Sequence, residues 1–114
     1  MAGARMRRVN EAVREVLSAH LAAGLKDPRI GFVTVTGVET SPDLRSARVY
    51  VSVLGDEERR AAALEGLRSS RGFLQAQLAA ELRMKRTPTL EFAYDDTVDR
   101  AARIGGLIDR EARG

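Results

Sequence analysis

At 114 residues the chain is the size of one domain. It is long enough to bury roughly two-thirds of its unfolded surface without covalent staples. It contains no cysteine, which excludes disulfides, thiolate nucleophiles and cysteine-ligated metals. Lys and Arg total 19 against 16 Asp and Glu, a formal charge of +3, and only Lys26 and Lys85 are lysines. Arginine suits planar, two-pronged phosphate contacts better than lysine does, although genome base composition also favours an Arg- and Ala-rich chain. The charge is uneven. Met1 to Arg29 and Glu57 to Pro88 are net basic, and the part after Thr89 is net acidic. A two-sided surface with a nucleic-acid-facing basic side is expected.

No apolar run is long enough to span a membrane. The basic start, Met1 to Arg8, has no apolar stretch behind it and does not read as a secretory signal. A cytoplasmic protein is expected. One domain over 1–114 is expected, with flexible ends at 1–5 and 112–114.

Met6, Val9, Val13, Val16/Leu17 and Leu21 recur at helical spacing. They predict a first helix from about Arg7 to Ala23, with Gly24 as its cap. His20, the only histidine, lies at the edge of that stripe, where packing is a better account than metal ligation. Asp27-Pro28 stops the helix. Phe32 to Glu39 is rich in β-branched residues and predicts a strand, with a bulge at Gly37. Ser41-Pro42-Asp43 is turn chemistry. From Arg45 to Leu54 the chain alternates, with Ala47, Val49, Val51 and Val53 on one face and Arg48, Tyr50 and Ser52 on the other. An antiparallel hairpin with one wet face follows.

Asp56 is placed to cap a second helix from about Glu57 to Ser69. A third helix is expected from about Gly72 to Met84, then a basic connector through Lys85 and Arg86. A last strand over Thr89–Asp95 carries Leu90, Phe92 and Tyr94 on one face. Val98, Ala101/Ala102, Gly105 and Ile108 suggest a final helix to about Glu111. Asp95, Asp96 and Asp99 resemble a metal cluster, but capping that helix explains them more simply. The order α-β-β-α-α-β-α implies an α+β fold, a three-stranded sheet with helices on one face.

The stretch Leu67–Leu74 separates two helical patterns with Ser69, Ser70, Arg71 and Gly72. Serine and glycine are weak inside helices, so a kink or very short turn is expected. Arg68 and Arg71 add positive charge there. No dinucleotide, P-loop, zinc-protease or nucleophile-elbow pattern occurs. No catalytic residue, metal or cofactor is expected.

The element order resembles the KH-like RNA-binding fold with its helix first. KH modules hold a nucleic-acid backbone with a G-x-x-G loop between two helices, and this chain has none. Ser70-Arg71-Gly72 stands in its place. The chain resembles the ribosome-binding factor A family, in which an Ala-x-Gly helix kink replaces that loop. The resemblance spans about Met6 to Ile108. It is carried by Arg7-Arg8-Val9-Asn10, Lys26-Asp27-Pro28-Arg29, Val33 to Val38 and Ser41 to Ser52. It continues through Arg71-Gly72-Phe73-Leu74, Arg86 to Phe92 and Asp95 to Val98. Ser70 departs from the family's alanine, and the longer polar tail of some members is not expected here.

The resemblance implies a non-catalytic assembly factor. It would bind the immature 30S subunit through 16S rRNA and assist late maturation and 5′-end processing. It also implies a role in cold growth and release with the help of a ribosome-assembly GTPase. A monomer is expected. Candidate RNA contacts are Arg7, Arg8, Lys26, Arg29, Arg68, Arg71, Arg83, Lys85 and Arg86, with Ser70, Arg71 and Gly72 as the kink. Arg5 and Arg14 of the first helix belong to the same basic surface, Arg14 with the weakest claim because Glu11 and Glu15 lie beside it. The alternative is a protein–protein module that uses the wet strand face (Arg48, Tyr50, Ser52) and touches little RNA.

Overall fold

A computed structural model describes residues 3–96. Its elements are α1 (Gly3–Ala23), β1 (Val33–Thr40), β2 (Ser46–Val53), α2 (Glu57–Ser69), α3 (Arg71–Leu82) and β3 (Thr89–Tyr94). β2 is central, paired antiparallel with β1 and parallel with β3. The expected final helix lies outside the described residues.

The alternation read in β2 holds. Ala47, Val49 and Val51 are fully buried, and Arg48 and Ser52 are exposed. The register of β1 slips between Val35 and Gly37, so Thr36 is the extra residue of a bulge. This slip lets Val35 and Val38 face the same core despite their odd spacing. All three helices cover that one face. α1 contributes Val13, Val16 and Leu17, α2 contributes Ala63 and Leu67, and α3 contributes Leu74 and Leu78. Full burial of each leucine favours the fold by about 1.5–3 kcal/mol.

Local chemistry sets the boundaries. Asp56 accepts a hydrogen bond from the Arg59 N–H at 2.9 Å, as an N-cap should. Gly24 takes a positive φ of 92° and its N–H donates to the Leu21 carbonyl, closing α1. Two boundaries differ from expectation by more than one residue. α1 begins at Gly3, about a turn before Arg7, so residues 3–5 belong to the helix. Ala4, Arg5 and Met6 are good helix formers and carry no stop signal. α3 ends at Leu82, because Arg83 turns left-handed (φ 50°, ψ 42°), which stops the helix before Met84.

Asn10 on α1 accepts the Thr40 N–H at 2.9 Å and so fixes the helix to the last residue of β1. Across the open face of the sheet, the Thr36 hydroxyl donates to Asp95 Oδ2 at 2.5 Å. The Asp95 carboxylate thus links the bulge to the end of β3. Asp99 and the helix these acids were expected to cap lie outside the described residues. Among the described residues, no three metal-ligating side chains gather, and no helix is long and apolar enough to cross a membrane.

Candidate nucleic-acid interface

The break between α2 and α3 is a single residue. Ser70 has φ −90° and ψ 2°, while Arg71 and Gly72 already lie in the first turn of α3. The Ser70 N–H donates to the carbonyls of Gly66 and Leu67, and its carbonyl accepts from Leu74 at 3.0 Å. Its hydroxyl makes no capping bond. The backbone is therefore closed on both sides, unlike an open glycine loop with free N–H groups. Gly72 does not need glycine's freedom: its φ is not positive, and a Cβ there would meet nothing within 4 Å.

A strap holds the break in place. The Arg29 guanidinium donates to Asp27 Oδ2 at 2.6 Å and to Ser69 Oγ at 3.0 Å, and it approaches Glu65 at 3.5 Å. The Arg29 N–H also donates to Asp27 Oδ1 at 2.9 Å. These bonds from Arg29 lower the Asp27 pKa to about 2, and hydrogen bonding to Asp27 raises the Arg29 pKa. The loop approaches α2 closely only because residue 66 is glycine. A Cβ there would stand 2.9 Å from Ile30 Cγ1 and 3.3 Å from Asp27 Cγ.

The candidate contact residues separate into two groups. Arg29 is bound to Ser69, and Lys26 lines the same groove as Ser70, so the loop and the break come together. Arg68 and Arg71 flank that break. Arg7 and Arg8 lie within a turn of Asn10, which grips the β1–β2 hairpin end. The Arg83–Arg86 connector leads to Thr89, which pairs with Ser46 at that same end. By chain position the candidates thus fall into two sets, one beside the helix break and one on segments that lead to the hairpin end.

Their electrostatics differ. Arg7, Arg8, Lys26, Arg68, Arg83, Lys85 and Arg86 are exposed and pair with no carboxylate among the described residues. Arg29 is already engaged by two acids. Arg71 is half-buried, and its Nε is buried without a partner among the described residues. Arg14 is tied to Glu11, and hydrogen bonding between the two lowers the Glu11 pKa and raises that of Arg14.

Three features were not read from the sequence. Phe73 is 50% exposed while Leu74 beside it is fully buried. A signal existed: one helical face carries Leu74, Leu78 and Leu82, and Phe73 belongs to the face with Gln77 and Glu81. His20 meets Phe73 edge-on, with ring centroids 5.7 Å apart, and its Nε2 lies 2.6 Å from Glu81 Oε2. It packs α1 against α3, as its place on the stripe suggested. Arg60 lies over the Tyr94 ring at 4.3 Å, a cation–π contact between α2 and β3.

Mixed sheet, helices on one face and a helix–break–helix in place of a G-x-x-G loop define an α+β domain of the KH-like class. The sequence profile of ribosome-binding factor A matches residues 5–108. Over 107 residues the chain is 55% identical to ribosome-binding factor A of Anaeromyxobacter sp. (strain K), covering 93% of this chain and 77% of that protein. The crystal structure of ribosome-binding factor A from Thermus thermophilus superposes with a TM-score of 0.69 at 34% identity. It covers 78% of this chain and 94% of the other. A second similar structure is a Thermus thermophilus ribosome binding factor A homology model, fitted into the cryo-EM map of its 30S complex. Its TM-score is 0.59 at 34% identity, covering 81% of this chain and 92% of the other. The chain belongs to the ribosome-binding factor A family, which is non-catalytic.

Proposed function

We propose that the protein is a small-subunit assembly factor that binds the immature 30S particle through 16S rRNA. The observation that carries this reading is the family match over residues 5–108. A relative with the same fold is described in a 30S complex, which supports the choice of partner. Late maturation, including 5′-end processing of 16S rRNA, is the step assigned. The protein acts in the cytoplasm as one domain and one monomer, is needed most in the cold, and leaves the particle with a ribosome-assembly GTPase.

The two basic clusters supply phosphate contacts, from Arg7, Arg8, Arg83, Lys85 and Arg86 at one end and Lys26, Arg68 and Arg71 at the other. Such contacts position a protein but do not specify sequence. Arg29 serves this surface by holding the loop to Ser69. Binding to protein-free 16S rRNA is the test, and affinity should fall steeply as salt rises.

A second reading has one observation in its favour. Phe32 and Leu54 are 82% and 75% exposed at one end of the sheet, where the Leu54 N–H donates to the Phe32 carbonyl. Apolar side chains set there suit a protein partner. A chain that binds complete particles but not protein-free rRNA would establish that reading instead.

A further inference from the structure

A groove of about 980 Å³ opens between the end of α1, the loop after it and the Ser70 break. Leu25, Pro28 and Phe73 form its apolar wall, and His20, Lys26 and Arg29 its polar one. Its size is that of a small-ligand site. It is far too small for a nucleic-acid duplex.

Phe73 brings an aromatic ring to the groove. Half its surface is open, yet the ring is not free to wander. His20 abuts it edge-on, and His20 is itself held by Glu81 at 2.6 Å. A ring held in this way offers a stacking platform at little ordering cost. Flat partners with a π-face stack on such rings, and every nucleobase has one.

The charges select the partner further. Asp27 lines the groove, but its carboxylate is saturated by the Arg29 N–H and guanidinium. That same contact occupies Arg29. Lys26, exposed at the rim, has no ion-pair partner among the described residues. Within the groove's own lining, one unspent cation beside one aromatic ring suits one phosphate and one base. The Ser70 hydroxyl, which makes no capping bond, is available to a base edge or a ribose hydroxyl. Ala23 and Gly24, where α1 ends, also line the groove, and a helix C-terminus favours donors such as exocyclic amino groups.

We propose that this groove receives one unpaired RNA nucleotide, its base stacked on Phe73 and its phosphate held by Lys26. The inference rests on the RNA-binding reading above and deepens it. The closed Ser70 backbone does not clamp a strand as a glycine loop would. Instead, the neighbouring groove accepts a single base turned out of its helix. Recognition of unpaired, splayed bases on aromatic side chains is how proteins commonly read RNA.

The test is an NMR titration of the full chain with three RNA probes: a single-stranded adenylate hexamer, the same hexamer made abasic, and a blunt duplex. The hexamer should shift the ring protons of Phe73 and His20, and the abasic strand and duplex should not. Phe73→Leu keeps the apolar bulk but loses the π-face, and should weaken hexamer binding roughly tenfold. Phe73→Trp should restore it. Lys26→Ala should weaken binding and lower the salt slope by about 0.7. Equal affinity of wild type and Phe73→Leu would overturn the proposal, as would equal shifts with the abasic strand. Groove signals that ignore all RNA but respond to ribosomal proteins would overturn it in favour of a protein occupant. Binding to 16S rRNA separates the two levels: if it persists while the groove stays silent, only this inference fails. If wild type fails to bind 16S rRNA, the reading beneath it fails as well.

Discussion

Replacing Gly66 by alanine tests the closest approach in the fold. Gly66 is buried in α2 against the loop that follows α1. An added Cβ would stand 2.9 Å from Ile30 Cγ1, 3.3 Å from Asp27 Cγ and 3.4 Å from Arg29 Cβ. Ile30 is only 5% exposed and packed into the core, so its Cγ1 has little room to retreat. Overpacking of this kind costs about 1–3 kcal/mol. Alanine in place of glycine returns about 0.5–1 kcal/mol of helix propensity. The net expectation is a loss of about 1 kcal/mol, or roughly 4 °C in Tm for a domain of this size. Gly72→Ala is the natural reference. It is helical and exposed, with nothing within 4 Å of the added carbon, so only the propensity gain of about 0.5–1 kcal/mol should appear. Thermal unfolding by far-UV circular dichroism should therefore move the two variants in opposite directions. A Gly66→Ala protein as stable as wild type would refute the close packing of loop and helix. A destabilised Gly72→Ala would refute a helix break confined to Ser70.

Asn10→Ala leaves the Thr40 N–H without its acceptor and should cost about 1 kcal/mol in urea unfolding. Arg68→Ala, at an exposed and unpaired site, should change stability by less than about 0.5 kcal/mol. It should also reduce the salt slope of rRNA binding by about 1, and an unchanged slope would remove Arg68 from the contact surface. Asp27 has a pKa of about 2 in the fold against 3.8 ordinarily. On acidification the unfolded chain takes up this proton first. The stabilisation from Asp27 is therefore complete well above pH 3.8 and lost as pH falls through about 2. Asp27→Asn should flatten the stability curve across that window, and direct titration of the carboxyl by NMR should give the lowered value.

The fold was largely legible, and for physical reasons. Alternation in β2 fixes its buried face with no help from distant residues, and Asp56 and Gly24 are local signals with local effects. The start of α1 was missed because helix formers run on past Arg7 without a stop signal. The end of α3 was missed because Arg83 adopts a left-handed turn that no glycine or asparagine advertises. The contact surface was only half legible. Charge is written in composition, but whether an arginine is spent depends on neighbours distant in sequence. Arg29 illustrates this, since Ser69, 40 residues away, occupies its guanidinium. The pairing of His20 with Glu81, 61 residues apart, was equally invisible.

The most direct test of the central claim is co-sedimentation of the purified protein with small ribosomal subunits on gradients of increasing salt. The protein should travel with immature 30S particles at low salt and be released steeply as salt rises. Alanine at Arg68, Lys85 and Arg86 together should lower the bound fraction while the thermal melt stays unchanged. A protein that stays at the top of the gradient at low salt would contradict the claim, as would one whose binding ignores both salt and the three substitutions.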